Sequence, residues 1–271
     1  MKKYKLIASD LDGTLMNSDL TVSKENYLAI KELTQQGVFV VPATGRTIAE
    51  MKDVFHIPEF RYVIYSNGAG IYDKENDKTF FFGLDDNSSR FIIDTLNKFD
   101  AFAFVHKDGK TYVDKAKVNN MHKYQLNSTV SELVDDICVI EDNFDELFYN
   151  GGIENVSVFF TNKTEMDKFR EIIKPNSELC SVECWDCNLE IFMKYAGKSN
   201  ALKNLVKILD IEMEDVIAIG DSDNDRQMII EAGLGLVAGN ACQSLKDDAD
   251  KVICTNDEHV ISYVKKHYFD N

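Results

Sequence analysis

Four apolar runs of this chain each end in residues able to hold or transfer an anion. "YKLIAS" leads into Asp10-Leu11-Asp12-Gly13-Thr14, "VFVVP" into Ala43-Thr44-Gly45-Arg46, "YVIY" into Ser66-Asn67-Gly68, and "DVIAI" into Gly220-Asp221-Ser222-Asp223-Asn224-Asp225. Carboxylates drawn together from separate segments repel and raise each other's pKa unless a cation sits among them. Magnesium meets that need, because it takes oxygen ligands, keeps several waters, and is held by one or two carboxylates together with substrate phosphate. Asp10 and Asp221 suit that ligation, and turns at Gly13 and Gly68 let backbone amides approach an anion. The chemistry these residues suggest is that of a divalent cation and a phosphate group.

Competing readings of the same residues fail. "DSDNDR" begins like a calcium loop, but Arg226 stands where the sharp turn needs glycine and Ala232 where the bidentate glutamate belongs. "GLGLVAG" lacks the G-x-G-x-x-G spacing of a dinucleotide loop, and its first glycine precedes a strand instead of following one. A D-x-D alone is common, and a lone Lys198 or Thr44 is ordinarily a surface lysine or a capping threonine. Their meaning comes from company.

The elements that must position these residues alternate. "YKLIAS", "VFVVPAT" and "YVIYSNGAG" are short, β-rich and not alternating, as strands buried on both faces are. Between the first two, a helix is expected from Ser23 to Gln36, with Ser23 as N-cap, Ala29, Ile30 and Leu33 on one face, and Gly37 at its end. Thr47 to Glu50 has capping-box spacing, so a short helix begins just after Arg46. The pattern returns after Ser199 with a helix to Asp210, the "DVIAIGDSDND" strand, and further strands at "LGLVAG" and "KVICT". Strands alternating with helices imply a doubly wound, Rossmann-like parallel sheet, in which ligands gather beyond the carboxyl ends of the strands.

From about Leu84 to Asn188 the texture changes to hairpins, including a turn at Asp108-Gly109, and a helix from Thr164 to Ile173. The expected organisation is an α/β core formed by residues 1–83 and 190–271, with an inserted α+β cap at 84–189 and hinges near Gly83 and Tyr195 to Gly197.

The 271 residues carry 46 acidic against 30 basic side chains, a net charge of −16 that repels nucleic acid and anionic membranes. An anionic substrate would then need a metal ion or a few placed cations to reverse the local sign. No run nears the roughly 18 apolar residues of a membrane span, and no signal peptide is evident, so a cytoplasmic protein without an obligate protein partner is expected. Cys138, Cys180, Cys184, Cys187, Cys242 and Cys254 form no framework, which suits reduced thiols. Cys184 and Cys187 form a lone C-x-x-C in "ECWDC", read as structural because the segment looks like two strands joined by a turn around Asp186.

Taken in order, D-L-D-G-T-L at the first strand, A-T-G-R at the second, the lysine of "GKSNAL", and G-D-S-D-N-D-R-Q-M at the late strand resemble the haloacid dehalogenase superfamily of phosphohydrolases. The insertion point resembles its Cof-type branch, with a type-two, subclass B cap. The resemblance implies a magnesium-dependent phosphatase acting on a small phosphorylated metabolite, sugar phosphates first and nucleotide or flavin phosphates behind. It implies that Asp10 attacks phosphorus and that Asp12 serves as acid and then base. Asp10, Asp221 and the Asp12 carbonyl would hold magnesium, and Thr44 and Lys198 would donate to phosphoryl oxygens. Asn224 and Asp225 would orient the metal site and Lys198, with Asn224 also near the phosphate, while Gly45, Arg46, Asn67 and Gly68 would face substrate. The cap would close over the site. Arg90, His106, Lys107, His122, Lys123 and Trp185 are the polar or aromatic cap residues of interest, each more simply read as surface or packing. Two departures stand out: Ser199 follows the lysine where the family has glycine, and "VAGNA" lacks the branch's methionine. A phosphotransferase or mutase, or a non-catalytic metabolite-binding regulator, are the alternatives.

Overall fold

The computed structural model describes residues 4–124, 126, 134–183 and 186–270. Its first passage begins with β1 (Leu6–Ser9), every residue of which is buried. Ser23 then caps α1 (Lys24–Gln35) by accepting the Asn26 N–H, and Ala29, Ile30 and Leu33 form its buried face, as the spacing predicts. Gly37, at φ +83°, carries the chain out of the helix into β2 (Phe39–Pro42). β3 (Tyr62–Tyr65) runs parallel beside the end of β2 through one bridge, Ala43 to Ile64. It also opens an antiparallel meander with β4 (Gly70–Asp73) and β5 (Lys78–Phe81), which the apolar run alone did not indicate.

The middle of the chain is built differently. α2 (Asp86–Leu96) leads into the hairpin of β6 (Ala101–Lys107) and β7 (Lys110–Asp114). Its two turn residues, Asp108 at φ +51° and Gly109 at φ +72°, have the positive dihedrals a two-residue hairpin requires. β8 (Val139–Glu141), β9 (Ile153–Phe160), α3 (Lys163–Ile173), β10 (Leu179–Val182) and β11 (Asn188–Met193) follow. They form a six-stranded sheet in the order β10-β11-β9-β6-β7-β8, antiparallel except for the β7–β8 pair. Alternation along β6 and β9 sends Ala101, Ala103, Val105, Val156, Val158 and Phe160 to the face covered by α2 and α3. Phe102, Phe104 and Phe159 go to the other face, where Tyr124 and Val134 cover them.

The parallel sheet then resumes. α4 (Lys198–Leu209), β12 (Val216–Gly220), α5 (Arg226–Glu231), β13 (Leu234–Val237), α6 (Gln243–Asp248), β14 (Lys251–Val252) and α7 (Val260–Tyr268) complete it. The strand order is β14-β13-β12-β1-β2, all parallel. From β1 the chain winds to β2 on one side and later to β12 on the other, so β1 ends at the topological switch point where α/β sheets bind ligands.

The chain divides into two compact units: residues 1–45, 51–80 and 197–271, and residues 46–50 with 81–196. The strap Arg46–Glu50, which the sequence reading placed with the core, groups with the second unit. Ala49 N–H donates to the Gly109 carbonyl at 2.9 Å, and Thr111 Oγ1 donates to Glu50 Oε1 at 2.8 Å. Among the described residues, no helix is long and apolar enough to cross a membrane.

Candidate active site

Asp10 leaves the end of β1 with its N–H bonded to the Ile219 carbonyl of β12 at 2.9 Å and its side chain only 6% exposed. An extended chain would point Asp12 the same way. Instead Leu11–Leu15 coils, and Asp12 (φ −75°, ψ 120°) and Gly13 (φ 75°, ψ 3°) adopt the dihedrals of a type II turn. Asp10 is therefore buried while Asp12 is exposed. Gly13 is required twice here, once for its positive φ and once for space. A Cβ at this position would lie 2.5 Å from Oδ2 of Asp221, whose carboxylate also accepts a hydrogen bond from Thr14 Oγ1 at 3.2 Å.

Lys198 opens α4 with its side chain fully buried, a position a lysine holds only when paired. Its Nζ donates to Oδ1 of Asp10 and to Oδ1 of Asp225, both at 2.7 Å. The other oxygen of Asp225 accepts the N–H groups of Asp221 at 3.1 Å and Ser222 at 3.2 Å. Asp225 thus orients both the lysine and the backbone that carries Asp221. Ser199, the departure from lysine-glycine, is buried, and its hydroxyl donates to Glu231 of α5.

Beyond β2 and β3, Thr44 is fully buried, its N–H bonded to the Ile64 carbonyl and its carbonyl accepting the Asn67 N–H, each at 2.9 Å. Ser66, Asn67 and Gly68 all have positive φ (48°, 53° and 89°), a run of left-handed residues that costs free energy and survives only where the surroundings enforce it. What enforces it is contact with the start of α4, since a Cβ on Gly68 would come within 2.3 Å of the Gly197 carbonyl carbon. The side chain of Asn67 accepts from Asn224 Nδ2 at 3.0 Å, linking this turn to the loop after β12, and Gly45 lies beside it.

The first unit thus brings together Asp10, Asp221, Asp225 and Lys198, with Thr44, Asn67, Gly68 and Asn224 on adjoining strand ends. Arg46 groups with the second unit. Its guanidinium donates to the Glu50 carbonyl at 3.1 Å, inside the strap. Of the cap candidates, Lys107 is nearly buried and donates to the Leu147 carbonyl at 3.2 Å, and Lys123 pairs with Asp100 at 3.3 Å. Both find these partners within the second unit. Trp185 and Cys184 lie outside the described residues, and the five described cysteines are free thiols.

Ligand atoms of Asp10, Asp221 and Asp225 lie within 4.8 Å of one another. Burial, with Asp225 and Asp221 adding to it and Lys198 opposing it, pushes the Asp10 carboxyl up to about 8. Burial and Asp225 likewise raise Asp221. Burial works to lower Lys198, but the charges of Asp10 and Asp225 outweigh it and hold the ammonium above its ordinary range. Three carboxylates and one ammonium leave the cluster short of positive charge, and the donors are hard oxygens, so the residues fit a magnesium ion. Asp225 is already committed to the lysine and to two backbone amides, which leaves Asp10 and Asp221 as the ligands with free capacity.

Three asparagines escaped the sequence reading: Asn26, Asn240 and Asn256 each donate a side-chain N–H to the loop after Asp10. Only Asn240, in "VAGNA" just beyond β13, sat where strand-end reasoning could have found it.

The model of the haloacid dehalogenase-like hydrolase family matches residues 7–264. The chain therefore belongs to that family, on its phosphatase branch. Phosphatase YwpJ of Bacillus subtilis (strain 168) is 30% identical, over 97% of this chain and 99% of its own. The 5-amino-6-(5-phospho-D-ribitylamino)uracil phosphatase YcsE of the same organism is 28% identical, over 97% and 95%. In fold, the chain matches the subclass IIB sugar phosphatase BT4131 with a TM-score of 0.77 at 19% identity, over 97% of this chain and 98% of that one.

Proposed function

We propose that the protein is a magnesium-dependent phosphatase that hydrolyses small phosphorylated metabolites through a phosphoryl group carried on Asp10. The observation that carries this reading is the buried Asp10 carboxylate, 2.7 Å from Lys198 Nζ and grouped with Asp221. When bound, magnesium held by Asp10, Asp221 and the Asp12 carbonyl would supply positive charge for the phosphoryl oxygens.

An Asp10 oxygen forms a bond to phosphorus as the bond to the leaving oxygen breaks, and Asp12 gives its proton to that oxygen. Asp12 then takes a proton from water. The water oxygen attacks phosphorus, the Asp10–phosphorus bond breaks, and inorganic phosphate leaves. Exposure at the turn suits Asp12 to this exchange, because its proton must come and go with substrate and solvent. Lys198 and Thr44 would donate to the phosphoryl oxygens, and Asp225 keeps the lysine charged and aimed. Asn67, Gly68, Gly45 and Asn224 line the anion's surroundings, with Arg46 assigned to the substrate from its own strap.

Two of the three phosphatases compared have names that state a substrate, and these share one chemistry, a phosphate monoester on a polyhydroxylated carbon chain: a phosphorylated ribityl group for YcsE, a sugar for BT4131. Sugar phosphates and phosphorylated polyols are accordingly the first substrates to try, with nucleotide and flavin monophosphates after them. The free thiols suit a reducing cytoplasm.

Phosphate release from hexose, pentose, polyol, nucleotide and flavin monophosphates, with magnesium or with chelator, tests the proposal. Release that requires the metal is expected. Release unaffected by chelator, or none from the whole panel by folded protein, would overturn it.

A further inference from the structure

The loop after Asp10 is held from outside itself. Its turn at Asp12 and Gly13 breaks the regular helical pattern, and the carbonyls of Gly13, Leu15 and Met16 are each met by an asparagine side chain. Asn240 Nδ2 donates to Gly13 O at 2.8 Å, Asn26 Nδ2 to Leu15 O at 3.2 Å, and Asn256 Nδ2 to Met16 O at 3.1 Å. Asn240 uses both ends of its amide, since its Oδ1 accepts the Asn256 N–H at 3.1 Å. A carbonyl can only accept and a backbone N–H can only donate, so these partners fix the orientation of the Asn240 amide.

We propose that Asn240 is a positioning residue for the phosphoryl transfer described above: by holding the Gly13 carbonyl it fixes the turn that aims Asp12 and packs against Asp221. The inference rests on that reading of the site. Gly13 lies between two restraints, the Asn240 amide at its carbonyl and the Asp221 carboxylate, which a Cβ on Gly13 would approach to 2.5 Å. A peptide beside glycine rotates at little cost, because no side chain limits it. Without the amide the Gly13–Thr14 peptide is free to turn, and both the aim of Asp12 and the Thr14 contact to Asp221 loosen. Asn240 is itself exposed, so this bond does more for the loop's geometry than for the stability of the fold. Asn26 is a different case. It is buried, and its Oδ1 also accepts the Ile261 and Ser262 N–H groups at the start of α7, so its loss would disturb the helix as well.

The test compares wild type with Asn240→Ala and Asn240→Asp, using p-nitrophenyl phosphate with magnesium, alongside hydrogen exchange of the Leu15 and Met16 amides. Asn240→Asp keeps the acceptor for the Asn256 N–H but loses the donor to Gly13, so it should behave as Asn240→Ala does. Both variants should lower kcat about 10- to 100-fold with KM little changed, keep the thermal midpoint, and speed exchange at Leu15 and Met16. Asn256→Ala added to Asn240→Ala should cost less than the two singly combined, because both act on one loop. An unchanged kcat in active, folded variants, or exchange at wild-type rate, would overturn the proposal. If wild type itself releases no phosphate, the phosphatase reading falls, and the exchange measurement still decides the role of Asn240.

Discussion

The two units bury polar groups for different ends. In the first, Asp10, Thr44, Lys198 and Asp225 are buried where parallel strands end, and local rules are bent around them. Three consecutive residues are left-handed at Ser66 to Gly68, and three carboxylates face one lysine. Among the described residues the second unit holds no comparable cluster of carboxylates. Its positive dihedrals at Asp108 and Gly109 serve a hairpin turn, and its faces are filled by aromatic contacts such as Phe99 against Phe169, with ring centroids 5.3 Å apart. Strained dihedrals and crowded charge mark the strand ends of the first unit, and packed aromatic and aliphatic faces mark the sheet of the second.

Substitutions should separate the two. Asp10→Asn should abolish turnover while leaving metal-free protein at least as stable, because it removes a carboxyl that burial and the neighbouring carboxylates make costly to ionise; phosphate release and thermal unfolding check both halves. Lys198→Met should lower kcat about 10²- to 10³-fold, the usual cost of one donor to a developing oxyanion. It should also destabilise the fold by leaving Asp10 and Asp225 buried without their cation. In the second unit Phe169→Ala should cost about 3–5 kcal/mol of stability. Magnesium binding by the folded fraction, read by calorimetry, should not change. A matching loss of magnesium affinity would break the distinction between the units.

The smallest effect is in pH. The Asp10 carboxyl stands at about 8 in the metal-free fold against an ordinary 3.8, and Asp221 is raised as well. A raised carboxyl favours the fold fully below its unfolded value, and that contribution is lost as pH rises through the folded value. Metal-free protein should therefore lose stability from this source between about pH 4 and 8. Magnesium held by Asp10 and Asp221 would need the deprotonated pair, so the rise in thermal midpoint on adding it should be larger at about pH 8 than at about pH 5.5. An equal rise at both would sink the assignment of Asp10 and Asp221 as ligands.

Much of this was legible in the sequence because motif residues and strand ends coincide. The runs before Asp10, Thr44 and Asp221 read as buried strands, Ser23 and Gly37 bound α1, and Asp108-Gly109 marks the hairpin, since each signal acts within a few residues. What was hidden depends on distant contacts. The turn that buries Asp10 and exposes Asp12 requires Gly13 to lie against Asp221, more than two hundred residues away. Asn26 reads as an ordinary polar residue in the first turn of a helix, yet it holds both Leu15 and α7. The strap at Arg46–Glu50 reads as core because its neighbours in sequence are core, while its hydrogen bonds run to Gly109 and Thr111.

The central claim is that Asp10 carries the phosphoryl group, and the most direct test is to trap it. With p-nitrophenyl phosphate the leaving group needs no proton, so Asp12→Asn should permit the first step and stall the second. Acid-quenched mass spectrometry during turnover should then find a phosphoryl group on the peptide containing Asp10, and none when Asp10→Asn is added. Phosphate released steadily by Asp12→Asn with no phosphorylated peptide, or a phosphoryl group found on another residue, would contradict the account.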